Sequence, residues 1–212
     1  MTQVKICGLR SLPEARVALQ AGANFLGFIF WRPGKRYIAP ADAARIIASL
    51  RTESLDWSAV GVFVDPEPHE VREVADLCGL DYVQLSGKES PEVVAGMPRP
   101  TFKALHVRAG QEHAAADAVQ SNAFGAERYL LDTHVDSLPG GTGVTFQWDA
   151  LRSIGPRCLV AGGLRPDNVC TALTALAPYG VDVSSGVEYP SGGKDPLLIR
   201  AFLEAVRSHD NG

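Results

Sequence analysis

The chain has no surplus of positive charge and no apolar run of membrane length. Its 212 residues carry 20 Lys and Arg against 24 Asp and Glu, a formal charge of -4. This balance would not attract a nucleic-acid backbone or an anionic membrane surface, so we expect neither as a partner. The longest apolar run, Phe25 to Trp31, is far shorter than the roughly 20 residues that cross a bilayer, and the N-terminus lacks a signal-peptide core. We therefore expect a cytoplasmic protein.

The sequence also lacks the motifs of several common sites. Its four cysteines form no C-x-x-C pair, which argues against a zinc ribbon or a disulfide framework. No H-x-H or H-E-x-x-H grouping occurs, so we expect no metal site. Neither a G-x-G-x-x-G turn after the first strand nor a G-x-x-x-x-G-K-[ST] loop is present, which excludes the two commonest nucleotide-binding signatures.

What the chain does have is eight short, nearly continuous apolar runs. Runs of this kind are typical of strands that are covered on both faces, as in a parallel sheet. They begin at Val4, Phe25, Val60, Tyr82, Phe102, Tyr129, Cys158 and Val181. Stretches with helical period separate them, at Leu12–Ala21, Ala41–Leu50, Glu67–Cys78, Glu89–Ala95, Gln111–Ser121, Gln147–Ile154, Asp167–Leu176 and Pro196–His209. This alternation predicts an α/β fold with parallel strands.

A glycine repeat narrows the choice of α/β architecture. Gly22, Gly79, Gly125 and Gly180 each stand between a predicted helix and the next strand, at steps of 57, 46 and 55 residues. Each step spans about two strand-helix units, as expected when four similar pairs are arranged around a ring. We therefore predict a closed (βα)8 TIM barrel that forms a single domain over residues 1–212, rather than an open sheet.

In such a barrel the reactive groups gather at the carboxyl ends of the strands. Cys7 ends the first strand, where it is either an inert core thiol or a proton acceptor held as thiolate by a nearby cation. Lys5 lies two residues earlier on the same face of the strand and could supply that charge. If Lys5 is buried it needs a counterion, and Asp182 on the neighbouring eighth strand is the candidate.

Two more charged residues stand at strand ends. Asp132 follows the apolar run Tyr129–Leu131, so its carboxyl group is expected to be partly desolvated and able to act as a general acid, although it could also cap the next loop. Arg36 lies in the loop after the second strand. Its planar guanidinium could bind a substrate carboxylate in bidentate fashion, or it could form a surface salt bridge.

The loops after the last three strands are rich in small residues. Such loops let backbone N–H groups approach an anion, so their convergence predicts a phosphate site, although each glycine could instead serve only the geometry of its loop. The candidates are Gly141, Gly143, Gly162, Gly163, Ser184, Ser185 and Gly186.

Taken together, the strand ends resemble a known family. The segments KICGLR, RPGKRYI, VGVFVD, VQLSG, LLDT with PGGTG, VAGGL, and GVDVSSGVE followed by GKD are similar to those of phosphoribosylanthranilate isomerase of tryptophan biosynthesis. The likeness runs from Lys5 to Asp195. It implies an Amadori rearrangement without a cofactor, in which N-(5-phosphoribosyl)anthranilate becomes 1-(2-carboxyphenylamino)-1-deoxyribulose 5-phosphate.

The resemblance also implies roles for individual residues. Asp132 matches the general acid that opens the ribose ring, and Cys7 matches the general base that removes the proton from ribose C2. Arg36 matches the residue that holds the anthranilate carboxylate, and the glycine-rich loops match the phosphate site. Gln84 is carried over as a polar contact at the end of the fourth strand, although family members often have histidine where this chain has Ser86, and threonine in place of Arg10.

Two alternatives stay open at this point. The analogous isomerase of histidine biosynthesis performs the same chemistry, but that family has an aspartate as the base on strand one, where this chain has Cys7. A non-catalytic barrel that only binds a phospho-ligand is the other. Apolar faces of the outer helices could support a dimer but do not demand one, so we expect a monomer or a homodimer.

Overall fold

The computed structural model describes residues 1–53, 55–133 and 148–212. Its strands are all parallel and close into a barrel in chain order, with the first strand paired to the eighth. The predicted closed (βα)8 barrel is confirmed. The strands are β1 (Gln3–Cys7), β2 (Phe25–Ile29), β3 (Ser58–Phe63), β4 (Tyr82–Leu85), β5 (Thr101–Val107), β6 (Arg128–Thr133), β7 (Cys158–Ala161) and β8 (Gly180–Val183).

A helix follows each of these strands in the described ranges. They are α1 (Leu12–Gln20), α2 (Pro40–Arg51), α3 (Pro68–Cys78), α4 (Pro91–Ala95), α5 (Glu112–Gln120), α6 (Trp148–Arg152), α7 (Val169–Leu176) and α8 (Pro196–Asn211). Side-chain caps fix the residues at which several of these helices begin. Ser11 caps α1 in a capping box with Glu14, and the Asp195 side chain accepts from two N–H groups of α8. None of the described helices is both long and apolar enough to cross a membrane.

The apolar core has two layers, which follow from the alternation of side chains along each strand. Residues such as Val4 and Ile6 of β1 face outward and pack against the helices. The other face of the sheet fills the barrel with strand residues alone, including Phe25, Phe102 and Leu130. A strand residue on the same face as these therefore points into the barrel or, at the carboxyl end, into its mouth.

The glycine repeat has two different physical causes. Gly22, Gly79 and Gly125 adopt φ values of 99°, 65° and 64°, a left-handed region that glycine enters at little cost. Gly22 and Gly79 do so at the ends of α1 and α3, whereas Gly125 lies in the turn between α5 and β6. Gly180 instead lies inside β8, and the left-handed residue after α7 is Ala177. A side chain on Gly180 would meet the Gln3 carbonyl oxygen at 2.5 Å, so close contact between β8 and β1 requires glycine there. The prediction that Gly180 stands between a helix and the next strand was wrong, because Gly180 is the first residue of β8.

Candidate active site

Lys5 and Asp182 form a buried ion pair inside the barrel. They stand opposite each other in the register of β1 and β8, and the Lys5 Nζ to Asp182 Oδ1 distance is 2.9 Å. Lys5 is fully buried and Asp182 is 8% exposed. The predicted counterion is therefore confirmed, and it explains how an ammonium group is tolerated in the barrel interior.

Cys7 lies one step further along the same face of β1, at the mouth. Burial raises the pKa of its thiol, while the positive charges of Lys5 and Lys194 act against that rise. Gly27 on β2 makes the space for this arrangement, because a Cβ atom there would lie 2.9 Å from Cys7 Sγ and 3.1 Å from Lys5 Nζ. Burial and the Asp182 charge outweigh the cations, so the pKa of the thiol stays above its ordinary value, and Lys5 and Lys194 reduce the cost of forming the thiolate.

Arg36 reaches the same corner from the loop after β2. Its Nε and Nη2 atoms donate to the two carboxylate oxygens of Glu188 at 2.6 and 2.9 Å. The Lys194 ammonium group also contacts Glu188, at 2.8 Å. Although burial by itself would raise the pKa of Glu188, the hydrogen bonds from Arg36 and Lys194 lower it to about 2. The ion pair is largely buried, with side chains 21% and 10% exposed, so it is not a surface salt bridge.

Ser184 links this corner to β1. Its hydroxyl donates to the Cys7 carbonyl oxygen at 3.0 Å, and Lys194 donates to the Ser184 carbonyl and hydroxyl oxygens at 3.0 and 3.2 Å. Gly8, with φ of 80°, lets the Arg36 side chain lie close to the end of β1, since a Cβ atom on Gly8 would lie 2.6 Å from Arg36 Cδ. Glu188 and Lys194 were not predicted as site residues, although both stand in the segments that carry the family resemblance.

Asp132 lies on the opposite side of the barrel, at the end of β6. Its side chain is 38% exposed, and Oδ2 is 3.1 Å from Nδ1 of His106 on β5. Nε2 of His106 is 3.1 Å from the Ser86 carbonyl oxygen. The hydrogen bond with Asp132 raises the pKa of His106 above its ordinary value. His106 was not predicted as a site residue, although the period of two from Phe102 and Ala104 places it on the inward face of β5.

Gln84 and the glycine loops complete the described mouth. Gln84 is 5% exposed, donates to the Ser86 hydroxyl at 3.0 Å, and has an Oε1 atom without a partner among the described residues. Gly162 and Gly163 adopt φ of 96° and 67°, and Asn168 donates to the Gly163 carbonyl at 3.0 Å.

Gly186, in the turn that begins at Ser185, brings the loops after β7 and β8 together. A Cβ on Gly186 would lie only 1.7 Å from the Leu164 carbonyl oxygen, so no other residue fits without rearrangement. Gly141 and Gly143 lie outside the described residues. Nowhere in the described ranges do three or more His, Cys, Asp or Glu side chains come together as a metal would require.

Comparison with protein families and with curated sequences gives one consistent result. A family model described as N-(5'phosphoribosyl)anthranilate (PRA) isomerase matches residues 4–205. The N-(5'-phosphoribosyl)anthranilate isomerase of Citrifermentans bemidjiense is 45% identical over 209 residues, which cover 98% of each chain. The protein of the same name from Syntrophus aciditrophicus is 41% identical over 211 residues, which cover 99% of this chain and 89% of that one.

Solved structures agree with the sequence comparison. Phosphoribosyl anthranilate isomerase from Thermotoga maritima superposes with a TM-score of 0.83 at 36% identity, covering 98% of this chain and all of the other. A second similar structure, with a TM-score of 0.83, 34% identity and coverage of 98% and 100%, is a phosphoribosyl anthranilate isomerase in complex with reduced 1-(o-carboxyphenylamino)-1-deoxyribulose 5-phosphate.

Proposed function

The chain belongs to the N-(5'-phosphoribosyl)anthranilate isomerase family, and from this premise we propose that it rearranges N-(5-phosphoribosyl)anthranilate to 1-(2-carboxyphenylamino)-1-deoxyribulose 5-phosphate. Membership makes it an isomerase of tryptophan biosynthesis. One observation supports the proposed mechanism above the others: a candidate base and a candidate acid stand at the carboxyl ends of β1 and β6, in one barrel mouth. Acid and base in different surroundings suit ring opening followed by proton abstraction.

In this mechanism Asp132 donates a proton to the ribose ring oxygen as the bond from that oxygen to C1 breaks. The aniline nitrogen supplies the electrons for the C1–N double bond of the resulting Schiff base. Cys7 then removes the proton from C2, and Lys5 and Lys194 favour its thiolate. A desolvated thiol reacts poorly as a base without such cations, so the ion-paired Lys5 serves the reaction through Cys7.

Arg36 is proposed to bind the anthranilate carboxylate. A guanidinium group presents two edges, each with two parallel N–H donors. Glu188 binds the edge formed by Nε and Nη2, which fixes the plane of the Arg36 guanidinium. The edge formed by Nη1 and Nη2 is left for the substrate carboxylate. Gln84, whose Oε1 atom has no partner among the described residues, is proposed as a further polar contact with the ribose.

The phosphate is proposed to bind at the loops after β6, β7 and β8. The left-handed backbone of Gly162 and Gly163 and the close packing of Gly186 on the β7 loop support this placement. Ser184 and Ser185 are adjacent in the β8 loop, and the proposal includes the glycines of the β6 loop, Gly141 and Gly143, which lie outside the described residues.

The proposal extends to the organisation of the protein. One barrel domain over residues 1–212 would carry the whole site, and the reaction would use a phosphoribosyl substrate and no cofactor. A related protein from Thermotoga maritima is described as dimeric, and this chain is expected to be a monomer or a homodimer.

The test is loss of anthranilate-type fluorescence when freshly made phosphoribosylanthranilate is mixed with the purified protein in excess EDTA. Wild type is expected to turn over, and Cys7→Ser and Asp132→Asn are expected to fold and lose most turnover. Cys170→Ser is the matched control, because Cys170 is an exposed thiol on α7, outside the mouth. Absence of wild-type turnover would reject the substrate, and full activity of Cys7→Ser would remove the thiol from the mechanism.

A further inference from the structure

His106 and Asp132 meet at the mouth of the barrel, where the proposed function uses only the carboxyl group. They are Cα partners in the register of β5 and β6, and the Nδ1 to Oδ2 distance is 3.1 Å. The other ring nitrogen lies 3.1 Å from the Ser86 carbonyl oxygen at the end of β4. One imidazole thus bridges the ends of three neighbouring strands, and with a side chain 58% exposed it remains open to the mouth.

The two contacts restrict the protonation states of the ring. A carbonyl oxygen can only accept, so the contact with Ser86 requires a proton on Nε2. Nδ1 then either accepts from Asp132 when that carboxyl group is protonated on Oδ2, or belongs to an imidazolium and donates to Oδ2, whether Asp132 is a carboxylate or carries its proton on Oδ1. In both cases Oδ2 is engaged by the ring, and Oδ1 is the oxygen left for another partner.

We propose that His106 is a positioning residue for Asp132 in the isomerase reaction, an inference that rests on the proposed function. The ring holds Oδ2, so that Oδ1 carries the proton delivered to the substrate. In the step, the Oδ1–H bond of Asp132 breaks and an O–H bond forms on the ribose ring oxygen. The bond from that oxygen to C1 breaks, and the nitrogen lone pair closes the Schiff base. The carboxylate that remains accepts the Nδ1–H of the imidazolium.

The surroundings of the ring favour the ion pair of imidazolium and carboxylate that this step leaves behind. The hydrogen bond with Asp132 raises the pKa of His106 above 6.5, and the Ser86 carbonyl acts in the same direction. Desolvation and the positive charge of Lys103 on β5 act against it, and Lys103 itself is paired with Glu89 at 2.9 Å. The donating ring is therefore present below the pKa of His106 and lost as the pH rises through it.

The pairing can be measured without any turnover. In wild type, the NMR titration of the His106 ring, assigned with His106→Gln, is expected to have a midpoint above 6.5. In Asp132→Asn the midpoint is expected to fall, since the carboxylate partner is gone. An unchanged midpoint would show that the two side chains are not paired in solution and would overturn the inference.

The role in the reaction is tested by kinetics. For His106→Gln we expect kcat to fall by about 10-fold or more, KM to change less than about 3-fold, and the alkaline limb of the kcat profile to move. Added imidazole is expected to restore part of the kcat of His106→Gly, because the site is open to solvent. His113→Gln is the matched control, as His113 is an exposed histidine of α5, and it should behave as wild type.

The outcomes separate the two levels of the proposal. Wild-type turnover that is unchanged in kcat and pH profile by His106→Gln would overturn the positioning role and leave the proposed function standing. Failure of wild type to turn over the substrate would overturn the proposed function and the role together, even if NMR shows the pair. Loss of kcat with imidazole rescue and a moved alkaline limb supports the inference.

Discussion

The buried ion pair of Lys5 and Asp182 offers a prediction that separates stability from catalysis. Lys5→Met leaves a carboxylate that is 8% exposed without its partner, and Asp182→Leu leaves a fully buried ammonium without its counterion. Breaking such a pair from one side is expected to lower the free energy of unfolding by about 3–5 kcal/mol. Replacing both charges, as in Lys5→Met with Asp182→Leu, is expected to restore most of that loss, because no unpaired charge remains buried.

The double variant should still be a poor enzyme. Cys7 Sγ and Lys5 Nζ lie 2.9 and 3.1 Å from the same point, the Cβ position of Gly27, so they are no more than about 6 Å apart. Opposite charges at this separation attract by roughly 3 kcal/mol at an effective dielectric constant of about 20. Loss of Lys5 therefore makes the Cys7 thiolate rarer, and loss of the Asp182 charge, which opposes the thiolate, offsets part of this effect.

The assay is a double-mutant cycle by urea unfolding, with kcat/KM at pH 7 for each variant that folds. The matched control is the cycle for Arg16 and Glu53, which have the same 2.9 Å separation but side chains 42% and 25% exposed, and whose coupling should stay below about 1 kcal/mol. Additive losses in the Lys5 and Asp182 cycle would refute the buried pairing. A stable double variant with wild-type kcat/KM would refute the role of Lys5 in stabilising the thiolate.

Three further predictions follow from local geometry. Gly27→Ala should fold but lose most of its kcat/KM, since the new methyl group would lie 2.9 Å from Cys7 Sγ and displace it; undiminished turnover would contradict the packing. The pKa of Glu188 is lowered from its ordinary value of 4.5 to about 2, so its carboxylate should stabilise the fold by roughly 3 kcal/mol. This contribution should be complete above pH 4.5 and should be lost as the pH falls toward 2. The difference in unfolding free energy between wild type and Glu188→Gln should thus shrink between pH 6 and pH 2, and a constant difference would argue against the pairing. At pH 8 a thiol reagent should label the exposed Cys170 of the native protein first. Buried Cys158, whose pKa is raised to about 12, should react only when the protein unfolds. Mass mapping of the labelled protein would show the order.

Local patterns in the sequence determine most of the fold. Continuous apolar runs place all eight strands, since a strand covered on both faces has no polar side, and helical periods and caps such as Ser11 place the helices. The same patterns put Cys7 and Asp132 at strand ends. Once the barrel is recognised, strand ends meet at one mouth without any further information.

Only the tertiary structure decides which of these groups touch. Arg36 and Glu188 are 152 residues apart, and His106 meets Asp132 across 26 residues. These contacts depend on strand register and on loops folding over the barrel mouth, and neither has a local signature. The requirement for glycine at position 180 is also a tertiary effect, because a side chain there would collide with the Gln3 backbone on a strand at the other end of the chain. Burial and charge partners, and hence the pKa values of the mouth, follow from that long-range packing, so the chemistry of the strand ends is readable from sequence while their ionisation is not.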